Sequence, residues 1–431
     1  MKKSYIAIIT LLLFFGLTNC KDDKKTSRQE SDNSTTSAAG MGDGLIKVVA
    51  PNGDTLVKDA DGEIIRTILK NGQVIEARET VTPFQPEIPY YLNGTLVDGA
   101  GANIILDRLS IGKMKPLYTQ SVNKEGLFDF EGTVSEPQLM QFRLPAGSIH
   151  FVVKPGDTLN FQMHLQSTEN YSVIGNVESM QLKEMYEILN RANEKKHAFD
   201  ERIKATNDKQ ILKQLYISKP AHYAAIDEIK FAELKKFITK IGTSFTALLA
   251  AIYLKPEANI EFLEELDRKF AGLYPTSEYY KALHEKVLVH APIALGKFAP
   301  EIISQTTEGA TFKLSSTRGK YVLVDFWASW CGPCRQENPN VKKLYDKYKN
   351  KGFEIVGVSF DKDPVLWKKA IEEDKLNWIH VSDLLEFQSA AAQTYIITAI
   401  PSTFLLDKEG RIIAKNLRGR DLERKLAEVI K

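Results

Sequence analysis

Cysteine is scarce in this sequence, with three in 431 residues. Two of them form a single close pair, no second pair exists and His380 lies far along the chain, so the roughly four ligands of a zinc site are not there to assemble. Net charge is scarce as well. The formal balance is +2 at pH 7, which excludes a dedicated nucleic-acid surface. Long hydrophobic runs are absent except for Tyr5 to Leu17, and that run falls short of the ~20 residues a membrane-spanning helix requires. With Lys2 and Lys3 ahead of it, it reads as a secretion signal. A chain of 431 residues otherwise suggests roughly three soluble globular domains at ~150 residues each.

The chemistry concentrates in Phe326-Trp327-Ala328-Ser329-Trp330-Cys331-Gly332-Pro333-Cys334. Tyr321 to Phe326 is a short apolar run rich in β-branched and aromatic residues, whereas Val341, Leu344, Tyr345 and Tyr348 repeat at helical spacing. The two cysteines therefore open a helix. Free backbone N–H groups and the positive end of the helix dipole stabilise a thiolate there, which makes Cys331 the attacking sulfur. Cys334 lies one turn further in and less exposed, placed to attack the mixed disulfide that Cys331 forms with a substrate and so release the product. Gly332 lets the turn close tightly, and Pro333 suits a first helical position because no needed N–H is lost. A purely structural disulfide here would close too small a loop to constrain the unfolded chain. Asp325 stands in the apolar strand just before this stretch. Burial of a lone carboxyl raises its pKa towards neutrality, which equips it to take a proton from Cys334 and return it.

Val324-Asp325-Phe326-Trp327-Ala328-Ser329-Trp330-Cys331-Gly332-Pro333-Cys334 resembles the active-site stretch of thioredoxin, with Pro339 where that family kinks its active-site helix. Tyr395-Ile396-Ile397-Thr398-Ala399-Ile400-Pro401-Ser402-Thr403 is similar to the family's second signature. The resemblance implies a cis peptide between Ile400 and Pro401 lying against the dithiol and offering backbone groups to a substrate strand, with Trp330, Gly332 and Pro333 completing the substrate contact. It also carries the proton role onto Asp325. One departure stands out: the family often has a Lys in the next central strand, where Phe353-Glu354-Ile355-Val356-Gly357-Val358-Ser359-Phe360 has Gly357. An additional helix and strand between Phe360 and Tyr395, and the leading strands, resemble the TlpA/ResA-like branch of membrane-tethered thiol:disulfide oxidoreductases. That branch commonly places a buried acid just after the second central strand, a position that Asp361 or Asp363 could fill, although either could simply cap the following helix.

The rest of the chain is read in order. Leu17-Thr18-Asn19-Cys20 resembles the lipobox at which bacterial lipoproteins are cut and acylated, with Asn19 in place of the usual small residue, and gives a signal peptide over 1–20 with Cys20 lipidated. Residues 21–44 are charged and Ser/Thr-rich with almost no large apolar residue, and form a disordered tether. Lys21-Asp22-Asp23 resembles acidic signals that send some lipoproteins to the outer face of the outer membrane. Asn52-Gly53, Asp61-Gly62 and Asn71-Gly72 punctuate a small set of β-hairpins over 45–85. Residues 86–178 alternate apolar and polar in strand fashion, as in Leu159, Phe161 and Met163, and form a β-sandwich-like domain. It resembles the domain of unknown function that often precedes thioredoxin-like domains in envelope lipoproteins. Residues 179–292 turn to helical stripes such as Met185, Ile188, Leu189 and Ala192. Residues 293–431 form the thioredoxin-like α/β domain.

The reading that follows is an anchored dithiol reductant in the cell envelope, on the periplasmic side or the cell surface. It needs no cofactor and no metal. Its expected partners are disulfide-containing envelope proteins, a membrane electron donor and the lipid bilayer through Cys20; the branch it resembles includes proteins of cytochrome c-type biogenesis. Two alternatives remain. A peroxiredoxin-like peroxidase would be expected to have Thr or Ser three residues before its reactive Cys, where this chain has Ala328. A surface binding lipoprotein would use the β and helical regions for a ligand and leave the thiol domain secondary.

Overall fold

The computed structural model describes residues 86–431 throughout and, ahead of them, only the backbone of four strands. The signal segment 1–20, Cys20 and the tether 21–44 lie outside the described residues. Strands β1 (Ile46–Val49), β2 (Thr55–Lys58), β3 (Ile64–Ile68) and β4 (Val74–Glu76) pair antiparallel in sequence order, so each of the three Asn/Asp-Gly pairs falls between neighbouring strands.

The chain divides into two compact units, one ending at Ser179 and the other starting at Met180. In the first, β5 (Ile88–Val97), β6 (Asn103–Ser110), β7 (Lys113–Ser121), β8 (Leu127–Val134), β9 (Gln138–Leu144), β10 (Gly147–Val153), β11 (Thr158–His164) and β12 (Ser167–Ile174) form two four-stranded sheets, ordered β10-β9-β6-β7 and β12-β11-β5-β8. Leu159, Phe161 and Met163 are buried while the residues between them are exposed, and they join Phe142 and Phe151 in one core. Strand β7 is an edge strand, exposed along most of its length and carrying Lys113 and Lys115, with no alternating apolar face for a sequence reading to recognise.

The second unit holds helices α1 (Val177–Ala205, all but its first turn), α2 (Lys209–Ile241), α3 (Phe245–Ile252), α4 (Pro256–Phe270) and α5 (Glu278–His290), followed by an α/β array. Helices α1 and α2 run side by side under cross-helix pairs such as Lys196–Asp227 at 2.7 Å and Lys240–Glu184 at 2.9 Å. Asp208 caps α2 by accepting from the Gln210 and Ile211 N–H groups.

The array comprises β13 (Ile303–Thr306), β14 (Thr311–Lys313), β15 (Tyr321–Trp327), α6 (Gly332–Tyr348), β16 (Phe353–Ser359), α7 (Pro364–Asp374), β17 (Ile379–Ser382), α8 (Ala390–Thr394), β18 (Ser402–Leu406), β19 (Ile412–Lys415) and α9 (Gly419–Val429). Its seven-stranded sheet runs β14-β13-β17-β16-β15-β18-β19, with β16 in the middle and β15 beside it, parallel to β16 but antiparallel to β18. Because strand side chains alternate, Val322, Val324 and Phe326 enter one core. Leu323 enters the opposite one, formed with Val341 and Leu344 of α6 and Leu422 and Leu426 of α9. By the same alternation Asp325 points to the α6/α9 side.

Candidate active site at a strand to helix joint

Strand β15 ends at Trp327, a three-residue loop follows, and Cys331 is the N-cap of α6 with extended backbone angles. Pro333 occupies the first turn, where its missing N–H leaves nothing unsatisfied. The Cys334 N–H donates to Cys331 Sγ at 3.2 Å, so a helix-start donor already points at that sulfur and favours negative charge on it. The two sulfurs are joined in a disulfide with the Cα atoms 5.3 Å apart. In this oxidised state burial does not separate them: Cys331 is 4% and Cys334 3% exposed. What distinguishes Cys331 is its place at the cap, beside exposed neighbours Gly332, Pro333 and the 54% exposed Trp330.

Cys334 lines a small pocket together with Asp325, Glu337, Pro401, Thr403 and Arg418. The Ile400–Pro401 peptide is cis, and Pro401 is among the residues lining that pocket. Asp325 lies opposite Gly357 of β16 and Thr403 of β18, and is only 8% exposed. Burial pushes its carboxyl up from 3.8 to about 7, with the Arg418 guanidinium pulling it back and the Glu337 carboxylate adding to the rise. A carboxyl that titrates near neutrality beside the inner sulfur is able to exchange a proton with it.

The two acids after β16 have different surroundings. Asp361 is 2% exposed and accepts from the Ser329 backbone N–H, the Ser329 hydroxyl and the Ser359 hydroxyl. Asp363 is exposed and caps α7, accepting from the Val365 and Leu366 N–H groups. Asp361 thus braces the loop ahead of the dithiol, and Asp363 starts a helix. Just inside α6, Arg335 Nε and Nη2 grip Asp374 at the end of α7 at 2.9 and 2.6 Å, and Asn338 Nδ2 adds a contact at 2.7 Å. At Gly357 an added Cβ would sit 2.8 Å from His380 Nδ1 and 3.1 Å from Trp327 Nε1, which leaves no room for any side chain there.

Ser329, Glu337 and Arg418 are the members of this site that sequence reasoning missed. Arg418 stands just before the last helix, far along the chain from Asp325, and no local spacing connects the two. A polar loop residue next to Gly419 at a helix start was the only available signal.

A dithiol at a helix start, a cis-proline beside it and a mixed sheet with helices on both faces define a thioredoxin-like thiol:disulfide oxidoreductase. The Redoxin family model matches residues 294–430. The thiol-disulfide oxidoreductase ResA of Bacillus thuringiensis subsp. konkukian is 32% identical over 137 residues, which make up 32% of this chain and 77% of that protein. ResA of Geobacillus kaustophilus is 34% identical over 140 residues, 32% of this chain and 79% of that protein. Among solved structures, the thioredoxin domain of a thiol-disulfide oxidoreductase from Bacteroides vulgatus is 42% identical, covering 32% of this chain and 99% of that one with a TM-score of 0.31. The chain belongs to the TlpA/ResA-like thiol-disulfide oxidoreductases of the thioredoxin superfamily.

Proposed function

We propose that this oxidoreductase works as a reductant of disulfides in cell-envelope proteins, tethered to a membrane through an acylated Cys20. The observation that carries the reading is the placement of Cys331 at a helix cap with Cys334 behind it in the pocket of Asp325. In the reduced protein the Cys331 thiolate attacks a client disulfide, forming a mixed disulfide and expelling one client thiolate. Asp325 takes the proton of Cys334, whose thiolate attacks Cys331 Sγ. The second client thiolate leaves and is protonated, and the Cys331–Cys334 disulfide is formed. Two electrons supplied by a membrane electron donor, with two protons, restore the reduced state. Trp330, Gly332, Pro333, Ile400 and Pro401 form the client-facing rim.

In this reading the chain consists of a signal peptide at 1–20, a tether at 21–44, a hairpin segment at 45–85, a β-sandwich-like domain at 86–178, a helical region at 179–292 and the redox domain at 293–431. The redox domain works on the periplasmic side or at the cell surface. The clients include proteins that need free thiols before a cofactor is attached, as in cytochrome c-type biogenesis.

A thiol–disulfide redox titration of the full chain tests the direction of transfer. A reductant gives a potential near that of thioredoxin, roughly −270 mV, whereas a value above about −150 mV assigns an oxidant role instead. In cells, Cys334→Ala should freeze Cys331 onto its envelope clients as mixed disulfides. Capture of no specific client would remove the proposed substrate class.

A further inference from the structure

The loop from β19 into α9 is stitched to the strand that leaves the cis-proline. Asn416 N donates to Thr403 O at 2.7 Å, Ser402 Oγ to Asn416 Oδ1 at 2.9 Å, and Thr403 Oγ1 to Leu417 O at 3.2 Å. Arg418 follows directly as the N-cap of α9, and its Nη2 donates to the carbonyl of Pro401. The next residue, Gly419, donates its N–H to Glu337 Oε1 at 2.8 Å, an oxygen that also accepts from Asn340 Nδ2 at 2.7 Å. One short turn therefore fixes a guanidinium against the cis-proline and holds a carboxylate of the active-site helix beside it.

The charged and titratable groups lining the Asp325 pocket are few. Helix α6 contributes Glu337 and Cys334, and the turn before α9 contributes Arg418. Strands β16 and β18 contribute Gly357 and Thr403 opposite Asp325, neither of which titrates. Burial is the main influence on the Asp325 carboxyl, and the two opposite charges of Arg418 and Glu337 act on it next.

We infer that Arg418 is a positioning residue of this site: anchored on the Pro401 carbonyl, it stations a permanent positive charge at the Asp325 pocket and keeps that carboxylate available as the base for Cys334. The inference rests on the proton role given to Asp325 above. Arg418 touches neither sulfur and acts through Asp325.

Titration of the Asp325 carboxyl in the oxidised full chain, where neither cysteine titrates, tests this. The carboxyl 13C signal, assigned with Asp325→Asn, should show a midpoint near that of a buried acid in the wild type. In Arg418→Gln, which retains a donor for Pro401, the midpoint should rise by about one pH unit, leaving about fivefold fewer ionised carboxylates at pH 7. Arg418→Lys should bring it back towards the wild-type value, and Glu337→Gln should move it down. Arg418→Met, which removes the charge with a side chain of comparable length, keeps the test decisive if Arg418→Gln does not fold. An unmoved midpoint in the neutral variant overturns the assignment of this charge. The pH profile of insulin disulfide reduction by the pre-reduced chain separates the two layers of the argument. If Asp325→Asn leaves that profile intact, the proton role of Asp325 fails, whatever the carboxyl titration gives. If Asp325→Asn removes the limb that Arg418→Gln does not shift, only the role of Arg418 fails.

Discussion

Asp361 and Ser329 are bound to each other at three points: the carboxylate takes the Ser329 backbone N–H through its two oxygens, at 3.2 and 3.0 Å, and the Ser329 hydroxyl as well. One residue lies just beyond β16 and the other just before Cys331, so this contact fixes the approach of the chain to the dithiol. Asp361→Ala leaves these donors without their acceptor and should cost about 2–4 kcal/mol. All four tryptophans lie between residues 327 and 378, so their fluorescence during urea unfolding of the oxidised chain reads this region alone. A loss below about 0.5 kcal/mol, the range of ordinary surface changes, would show that the loop is held by other contacts.

The buried carboxyl of Asp325 should also appear in stability. Its folded value of about 7 lies above the ordinary 3.8, so folding favours the protonated form. That contribution is complete below pH 3.8, declines as pH rises and is gone above about pH 7. Asp325→Asn should therefore match the wild type at acid pH and become more stable at pH 8, by up to roughly 4 kcal/mol. Equal thermal stability of the two proteins at pH 8 would contradict the burial cost.

Gly357→Ala places a methyl group 2.8 Å from His380 Nδ1. That ring cannot swing away, because Trp327 and Trp378 pack on it with centroids 5.7 and 5.6 Å distant. Overpacking of this kind typically costs about 1–3 kcal/mol. A neutral effect in the same fluorescence assay would mean that the histidine has room to move.

The Arg335–Asp374 pair sets a prediction at acid pH. The guanidinium, through its hydrogen bonds, holds the Asp374 carboxyl below its ordinary 3.8, and Asn338 adds to the effect. Its contribution is thus present above pH 3.8 and lost as pH falls through the depressed folded value. Asp374→Asn should destabilise at pH 7 by about 1–3 kcal/mol, with the difference from the wild type closing as the pH falls well below 4. A difference that persists unchanged in strong acid would point to lost packing rather than lost charge.

The sequence made the dithiol, the strand before it and the helix after it legible, because an apolar β-branched run and a 3.6-residue stripe meet at the Cys331 turn. The cis-proline was reached through resemblance, since nothing in the composition around Pro401 specifies a peptide isomer. Strand β7 was hidden by its exposed, lysine-bearing edge. Gly357 looked like a missing lysine, and only the neighbouring His380 shows why a side chain is excluded there. Arg418 was invisible for another reason. The turn that brings it to Asp325 exists only after β18, β19 and α9 have assembled, and such a contact leaves no periodic trace in the chain.

The grip of Arg335 and Asn338 on Asp374 has a mechanical consequence. Helix α7 cannot shift or tilt without either breaking those three hydrogen bonds or dragging the opening turn of α6, which holds the inner sulfur one residue away. Helix α7 is thus bolted to the reactive turn, and a push on one is felt by the other.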